Sequence, residues 1–339
     1  MAHTAKIADM AGYLPERTLG NEDLAALYPA WPAEKILDKT GIRVRHIARD
    51  DETAGDLAFE AAARLFAQGK VRAAEVDFVI LCTQAPDYVL PTTACVLQHR
   101  LGIPTSAGAL DVNLGCSGFV YGLSLAKGLV ETGAARCVLL LTADTYSKLI
   151  HPMDKSVRTL FGDGASATAI VASDDVHPAI GPFVFGTDGS GALHLIVPAG
   201  GFRKPRDAET ARETTDASDN VRSADHLFMD GAEVMAFTLR EVPRTVNALL
   251  GKAGLSADAI DYFVMHQANQ FMLTALRKKL HVEPDRVPIC MQETGNTVSS
   301  TIPLALLEMR ERGQLDVPRR LMLIGFGVGL SWAACVLTF

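Results

Sequence analysis

The chain repeats itself, and that repeat narrows its possible folds more than any other feature. VRAAEVDFVILCTQA at 71–85 matches LSADAIDYFVMHQAN at 255–269, an offset of 184. RCVLLLTA at 136–143 matches RLMLIGFG at 320–327 at the same offset. Between these, GCSGFVYGLSLAKGL at 115–129 faces GNTVSSTIPLALLEM at 295–309 at an offset of 180, a shift that a few loop residues would absorb. Three matches in one order describe a duplicated unit of roughly half the chain; chance likeness among apolar strands is the competing explanation. The expected division is an N-terminal half, 1–175, and a C-terminal half, 176–339.

Each half reads as helix, buried strand, helix, buried strand. Segments 77–82, 137–142, 261–265 and 321–325 are short apolar runs, as expected for strands covered on both faces. Segments 117–131 and 298–311 have helical length and helix-forming residues. Strands alternating with helices imply an α/β fold with mostly parallel sheets. The stretch 203–226, RKPRDAETARETTDASDNVRSADH, has no apolar periodicity and is expected to be an exposed, mobile insertion in the second half.

Composition narrows the partners. With 339 residues, 48% of them hydrophobic, the chain can bury a core without disulfide staples. A net charge of −7 exerts no global pull on nucleic acid or anionic lipid. No apolar stretch approaches the ~20 residues of a membrane helix. The opening MAHTAKIADMAGYLPE lacks a basic-then-apolar signal layout. Six cysteines without a CxxC pair fit a reducing compartment and give no zinc-ribbon or thioredoxin pattern. A cytoplasmic protein without nucleic-acid or membrane partners is expected.

Cys116 stands apart from the other five cysteines. It lies in Gly115-Cys116-Ser117-Gly118 just before a helical run, where glycines allow a sharp turn. Free N–H groups and the positive end of the helix dipole would lower its pKa, making it a nucleophile. A cysteine that merely packs in a tight turn is the other reading. His266 ends a buried apolar run, and α/β sites gather at strand C-termini; a histidine satisfied by a loop carbonyl is its alternative. The repeat sets Asn296 opposite Cys116 at the start of the equivalent helix. If a pseudo-two-fold axis relates the halves, Cys116, His266 and Asn296 converge. Such a set suits a cysteine protease, an acyl transferase, or thioester chemistry in which His266 and Asn296 donate to an enolate. Gly325-Phe-Gly327-Val328-Gly329 is a poor dinucleotide motif, since its spacing is GxGxG and too little chain follows for the partner acidic residue. A turn offering a backbone N–H to an oxyanion is a better use for it.

These pieces together resemble the β-ketoacyl-acyl-carrier-protein synthase III family of the thiolase-like superfamily. The resemblance runs nearly end to end. It rests on KTGIRVRHIA from Lys39, DVNLGCSGFVYGL around Cys116, FGDGA from Phe161, HQAN from His266, GNT from Gly295, and GFGVGLSW from Gly325. It implies a duplicated five-layered αβαβα fold and a homodimer. Cys116 would take an acyl primer, commonly from acyl-CoA. Malonyl on an acyl carrier protein would then lose CO2, and the enolate would attack the acyl-Cys116 thioester. His266 and Asn296 are implied as enolate stabilisers, and the backbone N–H groups of Cys116 and Val328 as the oxyanion hole. Gly231 and Asn269 match positions lining the pantetheine tunnel. No metal or resident cofactor is implied; substrates ride on the phosphopantetheine of CoA or carrier protein.

Departures from the family pattern bear on substrate choice. Lys35, Lys39 and Lys155 stand where a Trp and two Arg commonly grip the adenine end of CoA, and lack their planar surface. Trp31 lies nearby, out of register. Phe271 and Ala236 replace basic residues that help dock the carrier, while Arg277, Lys278 and Lys279 keep positive charge on the same helix. Leu90 replaces a Phe by which the partner subunit closes the primer pocket, implying room for a primer larger than acetyl. Two other readings stand beside a decarboxylating condensation. One is a Cys116-dependent acyltransferase acting on an amine or alcohol with His266 as base; the other is a non-catalytic partner subunit of a ketosynthase heterodimer.

Overall fold

The computed structural model describes residues 3–177 and 179–339. Its front sheet runs in the order Thr4–Tyr13, Gly164–Ser173, Cys137–Asp144, Phe78–Cys82, Gly108–Val112. Its rear sheet runs Ile180–Thr187, Ser331–Thr338, Arg320–Gly327, Tyr262–Met265. Numbered along the chain, the rear strands and the first four places of the front sheet follow one pattern: first, last, third, second. The duplicated sequence is therefore duplicated topology, with Gly108–Val112 as the front sheet's additional strand.

The sheets are mixed rather than mostly parallel. Phe78–Cys82 pairs parallel with Gly108–Val112 and with Cys137–Asp144, and Tyr262–Met265 pairs parallel with Arg320–Gly327. The remaining four pairings within these two sheets are antiparallel. The cause is local. Helix-containing crossovers join the parallel pairs, Val328–Leu330 joins the last two strands as a hairpin, and the first strand of each half enters at a sheet edge antiparallel to the last.

Five layers follow from which faces are apolar. Between the sheets lie helices Gly118–Glu131 and Thr301–Glu311, the predicted pair, the second preceded by a 3-10 turn at Val298–Ser300. They pack Phe119, Leu123, Ile302 and Leu306 against Ile80 and Leu140 of one sheet and Val264 and Leu323 of the other. Helix Ala54–Ala67 covers the outer face of the front sheet, with Leu57, Ala58, Ala61 and Leu65 buried. Helix Gly231–Ala253 covers the rear sheet through Phe237, Val242 and Leu249. The architecture is the αβαβα sandwich, and the N-termini of both central helices open at one end of it.

The 203–226 segment is pinned down rather than loose. It forms a ribbon pairing Thr214–Thr215 with Val221–Arg222. Arg222 bonds the buried Asp154 carboxylate at 2.6 Å and Asp216 at 2.8 Å. Its polarity reflects internal turns and ion pairs, which hydropathy patterning cannot tell from disorder. No helix among the described residues is long and apolar enough to cross a membrane.

Candidate active site

Cys116 sits in the turn two residues before helix Gly118–Glu131. The backbone N–H groups of Val328 and of Cys116 itself lie close enough to the sulfur to favour its thiolate. Glycine is required on the facing strand, because a Cβ at Gly327 would lie 2.8 Å from the sulfur. A Cβ at Gly325 would meet Ser117 Cα at 2.7 Å and Gly329 holds a φ of 140°, so each glycine of the GxGxG run has its own reason. Ser117 and Ser331 join the two halves behind the turn through a 2.7 Å hydroxyl pair.

Asn296 precedes the second central helix, and the front half holds it in place. Its N–H donates to Leu160 O at 2.9 Å, and its carbonyl accepts from Gly162 N at 3.0 Å. Only glycine fits at 162, where a Cβ would meet Thr294 O at 2.4 Å. The Phe161-Gly162 segment is thus a clamp on the asparagine, a role its sequence position did not reveal. Asn296 Oδ1 accepts from Val298 N at 3.0 Å. This leaves the amide NH2 to face His266 Nε2, 3.5 Å away. Val298 holds a φ of 56°, a strained conformation for a β-branched residue.

His266 follows strand Tyr262–Met265, and its N–H donates to Ile324 O at 2.8 Å. The ring meets Phe326 edge-on at a centroid distance of 5.5 Å, and Nδ1 contacts Thr301 Oγ1 at 2.7 Å. Nothing in the helical pattern around Thr301 marked it as a neighbour of the site.

The expected convergence is present. Cys116, His266, Asn296, Gly231 and Asn269 line one cavity of about 90 Å³, walled by Phe161, Val234, Met272 and Phe326. Asn269 also caps helix Gln270–Leu280, accepting from Met272 N at 2.8 Å. Lys39 and Lys155 lie outside this lining. Lys39 stands over Trp31 at 5.6 Å and Lys35 does so at 5.1 Å, so the out-of-register tryptophan supplies a planar surface beside both lysines. Lys155 is engaged with the Ser218 carbonyl of the insertion. Leu90 is 79% exposed at the tip of an apolar loop with Tyr88 and Val89, also outside the cavity of its own chain.

Electrostatics reverse one expectation. Burial pushes the Cys116 thiol up to about 12, with the nearby Asp144 carboxylate adding to it; the two N–H donors oppose this only in part. Helix-terminus arguments treat the sulfur as solvated, and here it is not. Burial drives His266 down to about 3. The resting pair is a neutral thiol and a neutral imidazole. Alkylation of Cys116 by iodoacetamide should therefore rise about tenfold per pH unit from pH 7 past pH 10, because the thiolate fraction keeps growing below the pKa. A plateau near pH 7 would show a thiolate already formed.

The chain is similar to known proteins over its whole length. Residues 110–189 match the family model 3-Oxoacyl-[acyl-carrier-protein (ACP)] synthase III, and residues 250–339 match that for its C-terminal part. A β-ketoacyl-[acyl-carrier-protein] synthase III of Caldanaerobacter subterraneus subsp. tengcongensis is 36% identical over 333 residues, spanning 98% of this chain and 97% of its own. A crystal structure of a 3-oxoacyl-(acyl-carrier-protein) synthase III superposes with a TM-score of 0.98 at 69% identity, over 99% of this chain and 100% of that one. The priming β-ketosynthase of the R1128 polyketide pathway superposes at 0.83 with 30% identity, over 100% and 97%.

Proposed function

This chain belongs to the 3-oxoacyl-[acyl-carrier-protein] synthase III family, and on that footing we propose that Cys116 carries the acyl primer while His266 and Asn296 drive decarboxylation of the malonyl unit. The enzyme is a type III ketosynthase, joining an acyl primer to malonyl thioester by decarboxylating Claisen condensation. The sulfur attacks the primer thioester and expels its thiol. Malonyl thioester then loses CO2, and the electrons of the broken C–C bond collect on the thioester oxygen. Two buried donors aimed at that oxygen lower the barrier by several kcal/mol. The enolate carbon attacks acyl-Cys116, and the N–H groups of Cys116 and Val328 hold the oxyanion until the sulfur leaves.

One observation carries this assignment: the Asn296 amide is turned by Val298 so that its NH2, beside His266 Nε2, borders the same cavity as Cys116. A plain acyltransferase needs a base but no second donor, and a non-catalytic subunit needs none of the three. Both alternatives therefore leave Asn296 without a task.

Primer and partner follow from the surroundings. Trp31 with Lys35 and Lys39 offers stacking and charge to the nucleotide end of CoA. Gly41, just beyond Lys39, packs against Gln270, next to the cavity residue Asn269. Phe271, 66% exposed, gives the carrier protein an apolar contact where the family commonly offers a basic one, with Arg277, Lys278 and Lys279 further along the helix. A homodimer suits the free edge of strand Gly108–Val112, whose five residues are all half-buried. It would also cover the apolar tip at Leu90 and bring that side chain to the neighbouring cavity.

Intact-protein mass spectrometry after incubation with a panel of acyl-CoA and acyl-carrier thioesters identifies the primer class from the mass gained. Leu90→Phe should shift the preferred primer toward shorter chains, lowering kcat/KM for the longest accepted acyl group by about tenfold, the effect of one or two lost methylene contacts. An unchanged profile would remove Leu90 from the pocket.

A further inference from the structure

Ketosynthase turnover consumes one proton, and it does so at a buried atom. Condensation releases Cys116 as a thiolate, yet burial makes the thiol the resting form. A proton must reach the sulfur while the product's pantetheine arm still fills the front entrance.

A second opening lies behind the site. A groove of about 690 Å³ is lined by Thr301, Thr297, Gln267 and Cys290 on its inner side. Thr301 borders this groove, while its hydroxyl contacts His266 Nδ1 at 2.7 Å and reaches Val298 O at 3.0 Å. His266 faces the front cavity. Thr297, which is 1% exposed, has an Oγ1 atom with no hydrogen-bond partner among the described residues. A buried hydroxyl beside a groove is where a water would be held.

We propose that Thr301 is a positioning residue that links His266 to water in the rear groove, so that protons enter and leave the site by a back door. The proposal rests on the ketosynthase reading. In the resting enzyme Nδ1–H donates to Thr301 Oγ1, Thr301 donates to Val298 O, and the Asn296 NH2 donates to the bare Nε2. During loading, the Cys116 S–H proton passes to Nε2 as sulfur bonds to the acyl carbon. The Nδ1 proton leaves through Thr301 to groove water, and the expelled primer thiolate takes a proton from bulk solvent. His266 now carries its proton on Nε2, as an enolate donor must. During condensation the C–C bond to the carboxylate breaks, the enolate carbon bonds to the acyl carbon, and the C–S bond to Cys116 breaks. Nε2–H then protonates the sulfur while water supplies Nδ1 through Thr301. The balance over both steps is one proton taken up and one CO2 released.

The test has two arms. In wild-type enzyme labelled with 15N-histidine, the His266 imidazole should be the Nδ1–H tautomer when free and the Nε2–H tautomer once Cys116 is acylated. The same tautomer in both forms would overturn the proposal. In single-turnover condensation, Thr301→Val should be slower by about 10²-fold and lose the curvature of the wild-type proton inventory in mixed H2O and D2O. Thr301→Ser should restore both. A Thr301→Val enzyme with wild-type rate and inventory would also overturn it. The tautomer arm needs only acyl loading, so it stands if Thr301→Val does not fold. Absence of CO2 from the wild-type enzyme is the separate result that removes the ketosynthase reading.

Discussion

Cys116→Ala leaves an enzyme that takes no acyl group from any donor, with primer-dependent condensation reduced by roughly 10⁴-fold or more. The sulfur is the proposed bonding atom, and among the described residues no other cysteine lines the cavity. Malonyl thioester should still lose CO2 slowly in this variant, because the proposed decarboxylation keeps the Asn296 donor and needs only the minor Nε2–H tautomer of His266, which no longer forms by proton transfer from Cys116. Mass spectrometry and trapped CO2 read the two activities separately. Acyl loading that persists in Cys116→Ala would move the nucleophile elsewhere.

Asn296→Ala should show the reverse pattern. Acyl-Cys116 forms at close to the normal extent, but CO2 release falls by about 10²- to 10³-fold, the loss expected when one of two oxyanion donors is removed. Bonding supports the proposed division of labour. Asn296 touches His266 and Val298 rather than the sulfur, and its amide is oriented by the Val298 N–H. Equal loss of loading and decarboxylation would mean that the asparagine supports the whole pocket rather than one step.

Much of this site was legible because the chain carries two copies of one unit. Cys116 alone could have been a packing cysteine, and His266 alone a loop histidine. Aligning the halves set Asn296 opposite Cys116 at the start of matching helices, and the cavity joins all three. The layers were legible for a similar reason: apolar runs such as 137–142 have to be covered on both faces.

What stayed hidden depends on surroundings rather than on local pattern. The sign of the Cys116 shift required knowing that the sulfur is desolvated, since a helix N-terminus acts in the opposite direction. Lys155 could be aligned as a CoA contact, but its capture by the Ser218 carbonyl depends on how the insertion folds back. Phe161-Gly162 was legible only as part of a family motif; its clamp on Asn296, 135 positions away, depends on how the halves meet. Thr301 gives no sequence signal because it starts a helix while its partner, His266, follows a strand 35 positions earlier. Sheet direction was misjudged because hydrophobic periodicity registers neither the hairpin at Val328–Leu330 nor the antiparallel edge entry of each half's first strand.

The proposed mechanism requires one cavity to hold an acyl-carrying sulfur beside the two donors that decarboxylate malonyl. Peptide-mapped mass spectrometry tests it most directly: load the enzyme with its preferred primer, remove excess donor, add malonyl thioester, and follow the peptide containing Cys116 together with the CO2 released. An acyl mass should appear on that peptide alone and discharge into a chain-extended product with one CO2 per acyl group. An acyl group on another residue, or discharge from Cys116 without CO2, would contradict it.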